Sequence, residues 1–175
     1  NIEKVIIKGN LQAISYGAFS SNPNLTNVEI EEGVEYISQY AFNKCEKLNN
    51  VFLPSSIKEI GSKAFSNTDS LENLIIYSKN VEYMEHDNKN TTIYLYGDSE
   101  TANYGDKNSI PYQDLSNIKK EVKFTTHEYN IKVGDPNITL DYQITPSFYQ
   151  EGVTFSSSNK NIATVDENGV VTLGK

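Results

Sequence analysis

Apolar side chains recur through the first half of the chain with a step of 23 residues. Ile2, Leu25, Leu48 and Leu71 form one register, and Val5, Val28, Val51 and Leu74 a second. Ile7, Ile30, Leu53 and Ile76 make a third, and Ile14, Ile37 and Ile60 a fourth. The pair Ala-Phe keeps the same step, at Ala18-Phe19, Ala41-Phe42 and Ala64-Phe65. Spacing this strict describes one short supersecondary unit copied along an axis, each copy too small to bury its own apolar face. Such a stack offers an extended surface and no closed pocket, which favours a binding or scaffolding solenoid over an enzyme.

Within one unit, Leu48-Asn49-Asn50-Val51-Phe52-Leu53 fits the leucine-rich template L-x-x-L-x-L. Its alternation predicts a strand with Val51 and Leu53 pointing inward and Phe52 outward. Pro54-Ser55-Ser56 is a turn, and Ile57-Lys58-Glu59-Ile60 supplies a second short apolar pair. Gly61 to Phe65 reads as one helical turn that returns the chain. Alanine there lets coils approach closely, and the three Phe rings are expected to stack as an interior column. Three residues after each Phe stands Asn22, Cys45 or Thr68, small and weakly polar, expected to satisfy backbone groups at the turn.

The run from Ile37 to Phe65, I-x-x-x-A-F-x-x-C-x-x-L-x-x-V-x-L-P-x-x-I-x-x-I-G-x-x-A-F, resembles the BspA-like leucine-rich repeats of bacterial surface proteins. It lacks the Asn or Cys that follows the strand in the ordinary horseshoe template and places I-x-x-I and Ala-Phe there. The fourth copy departs from the others. One residue is inserted before Val81-Glu82-Tyr83-Met84, and Asn88-Lys89 replaces Ala-Phe. Thr92 to Tyr96 supplies one more alternating strand, and Ser99 to Leu115 resembles the closing segment of the same family, a short helix, a polar turn and then Ile-Pro-aromatic. The expected fold is mainly β: over residues 1–117, a solenoid of about four 23-residue coils with a C-terminal cap.

From residue 118 to 175 the repeat is gone, and short alternating runs are separated by turns. Tyr129 to Val133, Ile138 to Ile144, Val153 to Phe155, Ala163 to Val165 and Val170-Val171 predict a small β-sandwich. Val153 to Val171, with its Ser-Ser-Asn turn, Ile-Ala-Thr-Val and Gly turn, resembles the bacterial Ig-like domain of group 2. The family's last Gly-rich turn and closing strand are missing, so an incomplete domain with an unpaired sheet edge is expected. Asn1 stands directly before a repeat already in register, and the chain is expected to be a fragment, with signal and anchor elsewhere.

A net charge of −8 argues against nucleic acid, and all fifteen basic residues are Lys. No apolar run reaches about 18 residues, so no membrane insertion is expected. Cys45 is the only cysteine and excludes an intrachain disulfide. His86 and His127 have no partners at ligand spacing, and Asp166-Glu167-Asn168-Gly169 reads as a β-turn, not a calcium loop. Glu29, Glu31, Glu32 and Glu35 read as a charged surface patch. The sequons at Asn24, Asn90 and Asn137 read as chance matches in an Asn-rich chain. No catalytic residue, metal ligand or cofactor is expected.

The outward strand positions form two rows: Ile6, Glu29, Phe52, Ile75 and Tyr94, then Lys8, Glu31, Pro54, Tyr77 and Tyr96. Phe52, Ile75, Tyr77, Tyr94 and Tyr96 gather as an apolar and aromatic patch flanked by Glu29 and Glu31, which is either the candidate binding face or a packing surface, covered by the cap or the Ig-like part or stacked as cross-strand pairs. The family resemblance implies a non-catalytic cell-surface or secreted protein that adheres to a macromolecule, protein or glycan, on a host or neighbouring cell, with the Ig-like part as spacer. The alternative is an ancillary binding region of a larger secreted cell-wall or glycan hydrolase, which a full-length gene would distinguish.

Overall fold

Leu, Ile and Val alternating with polar residues give each turn of the chain two short strands, and a computed structural model describes residues 2–84, 90–126, 128–146 and 153–174. The first turn contributes β1 (Lys4–Ile7) and β2 (Ala13–Ile14), the second β3 (Asn27–Ile30) and β4 (Tyr36–Ile37). The third contributes β5 (Asn50–Leu53) and β6 (Glu59–Ile60), and the fourth β7 (Asn73–Ile76) and β8 (Tyr83–Met84). A fifth turn enters with β9 (Thr92–Leu95), followed by α1 (Glu100–Lys107) and β10 (Gln113–Asp114). The result is a mainly β solenoid of about five turns with very little helix. All its strands pair in parallel, in a six-stranded sheet ordered β1-β3-β5-β7-β9-β10 and a four-stranded sheet ordered β2-β4-β6-β8.

The registers join the residues that the repeat aligns. Val5, Val28, Val51, Leu74 and Ile93 are cross-strand neighbours, as are Ile14, Ile37, Ile60 and Met84. Val28, Val51, Leu53, Leu74, Ile76 and Ile93 belong to one continuous buried core, so the inward positions are as the alternation predicts. The Phe column is present too. Phe19 stacks on Phe42 with centroids 5.3 Å apart and planes 8° from parallel, and Phe42 on Phe65 at 5.4 Å and 5°. Phe42 is wholly buried between its two neighbours.

The segment expected to form a helical turn does something else. Gly17, Tyr40 and Lys63, just before each Ala-Phe, have φ of 59°, 60° and 55°. Ser21, Lys44 and Asn67, just after it, have φ of 60°, 59° and 56°. These left-handed residues break any helical turn, and in the first two coils they aim their amides at the next coil. The N–H of Gly17 donates to Gln39 O, Phe19 to Ala41 O and Ser21 to Asn43 O, at 3.1, 2.8 and 2.8 Å. One coil on, Tyr40, Phe42 and Lys44 repeat the pattern onto Ser62, Ala64 and Ser66. The corner is therefore a third inter-coil ladder. A left-handed non-glycine residue costs about 1–2 kcal/mol, and the ladder offsets it. Asn22 and Thr68 side chains donate to the carbonyls of Phe19 and Phe65, at 2.8 and 2.5 Å, while the Cys45 thiol reaches back to Phe19 O at 3.2 Å.

The fourth coil carries its extra residue between Tyr77 and Glu82. Tyr77 N–H still donates to Leu53 O in the ordinary step, whereas Glu82 N–H to Lys58 O and Ile60 beside Met84 lie one residue further on. The displaced backbone is satisfied locally and from the cap. Ser78 Oγ donates to Ile57 O and accepts from Asn80 N–H. Thr101, fully buried in the first turn of α1, donates its hydroxyl to Ser78 O at 2.9 Å and accepts from Val81 N–H at 3.0 Å. Ser99 caps that helix through Ala102 N–H, and Ala102, Tyr104, Ile110 and Tyr112 close over the end of the core. Asp114 then holds the turn of β9 and the Leu115–Asn117 3-10 turn together, accepting from Gly97 N–H and Ser116 N–H, each at 2.9 Å.

The chain divides into two compact units, Asn1–Ile118 and Lys119–Lys175. The second contains β11 (Glu121–Phe124), β12 (Ile138–Thr139), β13 (Tyr142–Thr145), β14 (Ala163–Val165) and β15 (Val170–Leu173). They form two small antiparallel sheets, β11-β13 and β12-β15-β14. The register sets Val122 opposite Ile144 and Phe124 opposite Tyr142, which gives the β11-β13 sheet one apolar face. Tyr142 meets Phe155 edge-on at 5.5 Å, and Phe155 lies so close to Gly169 that a Cβ there would be 3.1 Å from its ring. Gly169 is the one buried residue among those described in this unit, and Val122 and Phe124 remain 46% and 42% exposed. Both sheets are small, and the described residues of this unit do not show the expected sandwich.

Two substitutions test this architecture. Phe42→Ala should cost about 3–5 kcal/mol in urea unfolding of the solenoid, because both stacking neighbours lose their partner. Lys63→Gly, which places in the third coil the residue that Gly17 supplies in the first, should instead stabilise the solenoid by about 0.5–1 kcal/mol.

Candidate functional site

The outer face of the six-stranded sheet is built by the side chains that alternate with the core. The strand register places Glu29 beside Phe52, Phe52 beside Ile75, and Ile75 beside Tyr94. Two residues along each strand, Glu31, Pro54, Tyr77 and Tyr96 form the second row. Phe52, Tyr77, Tyr94 and Tyr96 are half-buried and stand outside the core cluster, so they are neither solvated polar groups nor core.

Ile75 differs from the expectation. It is fully buried although it points away from the core, and so it offers a ligand nothing directly. Larger side chains flank it in register on both sides, Phe52 and Tyr94, and an aliphatic chain between two rings one strand away becomes a floor beneath them. The half-buried field is thus Phe52, Tyr77, Tyr94 and Tyr96 around a covered Ile75.

Glu29 and Glu31 are engaged on the side away from that field. Lys4 Nζ lies 3.4 Å from Glu29, and Lys8 Nζ donates to Glu31 at 2.5 Å, with Gly9 N–H adding a bond of 3.2 Å. Glu32 accepts from Ser55 N–H at 2.8 Å and from Ser56 N–H at 3.2 Å, holding the next coil's turn. Glu35 bridges Gln12 and Lys58, each at 3.0 Å. The acidic patch seen in the sequence is therefore a set of staples between adjacent coils. The Lys8 hydrogen bond and the Gly9 amide hold the Glu31 carboxyl below its ordinary pKa, and Gln12 and Lys58 do the same for Glu35.

A row that sequence reasoning missed borders the aromatic field. Asn27, Asn50 and Asn73 are stacked by the strand register, and Asn73 Nδ2 donates to Asn50 Oδ1 at 2.7 Å. Asn50 Nδ2 in turn donates to Asn49 Oδ1. The signal for this row is the same 23-residue step, carried by polar residues. Lys79 lies over the Tyr96 ring, 4.8 Å from its centroid, and 3.2 Å from Asp98 Oδ1.

Two of the remaining chemical candidates lie among the described residues. Cys45 is free and buried, and burial pushes its thiol pKa up, which disfavours the nucleophilic thiolate. Asp166 Oδ1 accepts from Asn168 N–H and Val170 N–H around Gly169 at φ 76°, which is a turn. His86, Asp87, Asn88-Lys89 and His127 lie outside the described residues. Among the described residues no group of three or more His, Cys, Asp or Glu could hold a metal ion, and no helix is long and apolar enough to cross a membrane.

The family model of the BspA type leucine rich repeat region matches residues 1–92 in six copies. That is just over half of the chain, and the chain belongs to this family. No curated protein and no solved structure matches it.

The staples carry a pH dependence with a definite sign. Carboxyls held below their ordinary value of 4.5 contribute stability that is present above that pH and lost as pH falls through their folded values. The thermal midpoint of the wild-type chain should therefore fall on acidification below 4.5, and Glu31→Gln with Glu35→Gln should flatten that fall in a pH series of melting curves.

Proposed function

We propose that this chain is a non-catalytic part of a cell-surface or secreted protein that binds a macromolecule on a host or neighbouring cell through the outer face of its solenoid. The observation that carries this reading is the half-buried aromatic field of Phe52, Tyr77, Tyr94 and Tyr96, which lies outside the core on a face that a purely solvated sheet would fill with polar groups. Membership of the BspA type family supports it, since such repeats resemble those of surface proteins. A protein is the favoured ligand, because aromatic side chains on a flat face suit protein contacts, and a glycan is the other. Lys119–Lys175 serves as an Ig-like spacer. That assignment is supported by its alternating apolar face and by the Tyr142–Phe155 contact, the beginning of a sandwich core.

Because these rings are not part of the core, the double variant Phe52→Ser, Tyr77→Ser should keep the wild-type circular dichroism spectrum. Its adhesion to immobilised cell-surface preparations should be lost. Undiminished adhesion with an intact fold would move the site off this face.

A further inference from the structure

The aromatic field stands on an acidic body. Asn1–Ile118 carries nine lysines against sixteen carboxylates, a net charge of −7, whereas Lys119–Lys175, with six against seven, is at −1. Inside the field itself there is no charge: Phe52, Ile75 and Tyr94 in one row, and Pro54, Tyr77 and Tyr96 in the other, are aromatic or apolar. At its edge the chain already accommodates a cation. The Lys79 ammonium rests 4.8 Å from the centre of the Tyr96 ring and 3.2 Å from Asp98 Oδ1, so ring face and carboxylate hold it together.

We propose that this face docks a basic polypeptide segment, with Lys or Arg heads over the rings of Phe52, Tyr77 and Tyr94 in the way that Lys79 already lies over Tyr96. The inference rests on the binding role proposed above and adds the partner's chemistry. The net negative charge of this unit favours the approach of a cationic chain, and the aromatic rings then offer its cationic heads their faces. A second copy of this chain would bring one body of −7 against another, which the same electrostatics oppose. A neutral glycan gains nothing from that charge.

The test uses the full chain and a fluorescent oligolysine peptide, with its fully acetylated form as the uncharged control. Binding is read by anisotropy at low and high salt. The peptide should bind, weaken with salt and lose its affinity on acetylation. Phe52→Leu with Tyr77→Leu keeps apolar volume but removes two rings, and should weaken binding about ten-fold with an unchanged melting curve. Tyr94→Leu alone provides a second ring deletion should that pair fail to fold. Equal binding of the acetylated peptide would overturn the proposal. So would unaltered oligolysine affinity in the folded ring variants, since diffuse charge alone would then explain it. Ring-dependent binding of a neutral glucan, or ring-dependent self-association, in place of oligolysine would overturn this inference and leave the binding face standing. Loss of all ring-dependent binding, cell-surface adhesion included, would remove both.

Discussion

No coil of this solenoid buries its apolar side chains alone; each does so only against the coil before it and the coil after it. Everything else follows from keeping that stacking in register on all sides at once. Two parallel sheets and a corner ladder fix the spacing with backbone hydrogen bonds, and the Phe19-Phe42-Phe65 column fills the corner. A residue added or lost in one coil would displace one ladder against the others. This constraint explains why a left-handed backbone at Tyr40 and Lys44 is tolerated, since relaxing it would turn donors away from the next coil.

The same constraint sets what the surface can be. Side chains at one position of the repeat stand in a row at the strand spacing, so each row acquires a chemistry of its own. Carboxylates alternate with lysines and become staples, as at Lys8–Glu31 and Glu35–Lys58. Amides join into a ladder at Asn50 and Asn73. Aromatic rings side by side make a field with a covered aliphatic floor at Ile75. A row is therefore a unit of recognition as well as of packing.

Much of this is legible in the amino-acid sequence, because the inward positions repeat in kind as well as in spacing. Val51 and Leu53 are core and Phe52 is not, as strand alternation requires. Three features are not legible there, each for a physical reason. Apart from Gly17, the left-handed corner residues are Tyr, Lys, Ser and Asn, of which only Asn hints at positive φ, so the corner resembles a helical turn. The burial of Ile75 depends on neighbours a full coil away on either side, which periodicity in one strand does not reveal. The role of Thr101 depends on an insertion some twenty residues earlier in the chain. In the second unit the alternation of Val122, Phe124, Tyr142 and Ile144 marks the apolar face of one sheet, but alternation says nothing of what lies across from it.

The junction between the fourth coil and the cap helix has a consequence for how such a protein changes over time. Thr101 addresses backbone groups that are in place because of the extra residue between Tyr77 and Glu82. The cap thus fits one kind of coil, the long one, and leaves the regular coils upstream interchangeable with one another. Gene duplication or deletion by whole coils can lengthen or shorten the solenoid while the terminal junction is inherited intact. A partial-coil insertion shifts one ladder against the others, as the extra residue of the fourth coil does, and needs compensation of the kind that Ser78 and Thr101 provide. Such a design lets the reach of the protein vary between lineages as the number of coils, with the aromatic field carried along beside the cap.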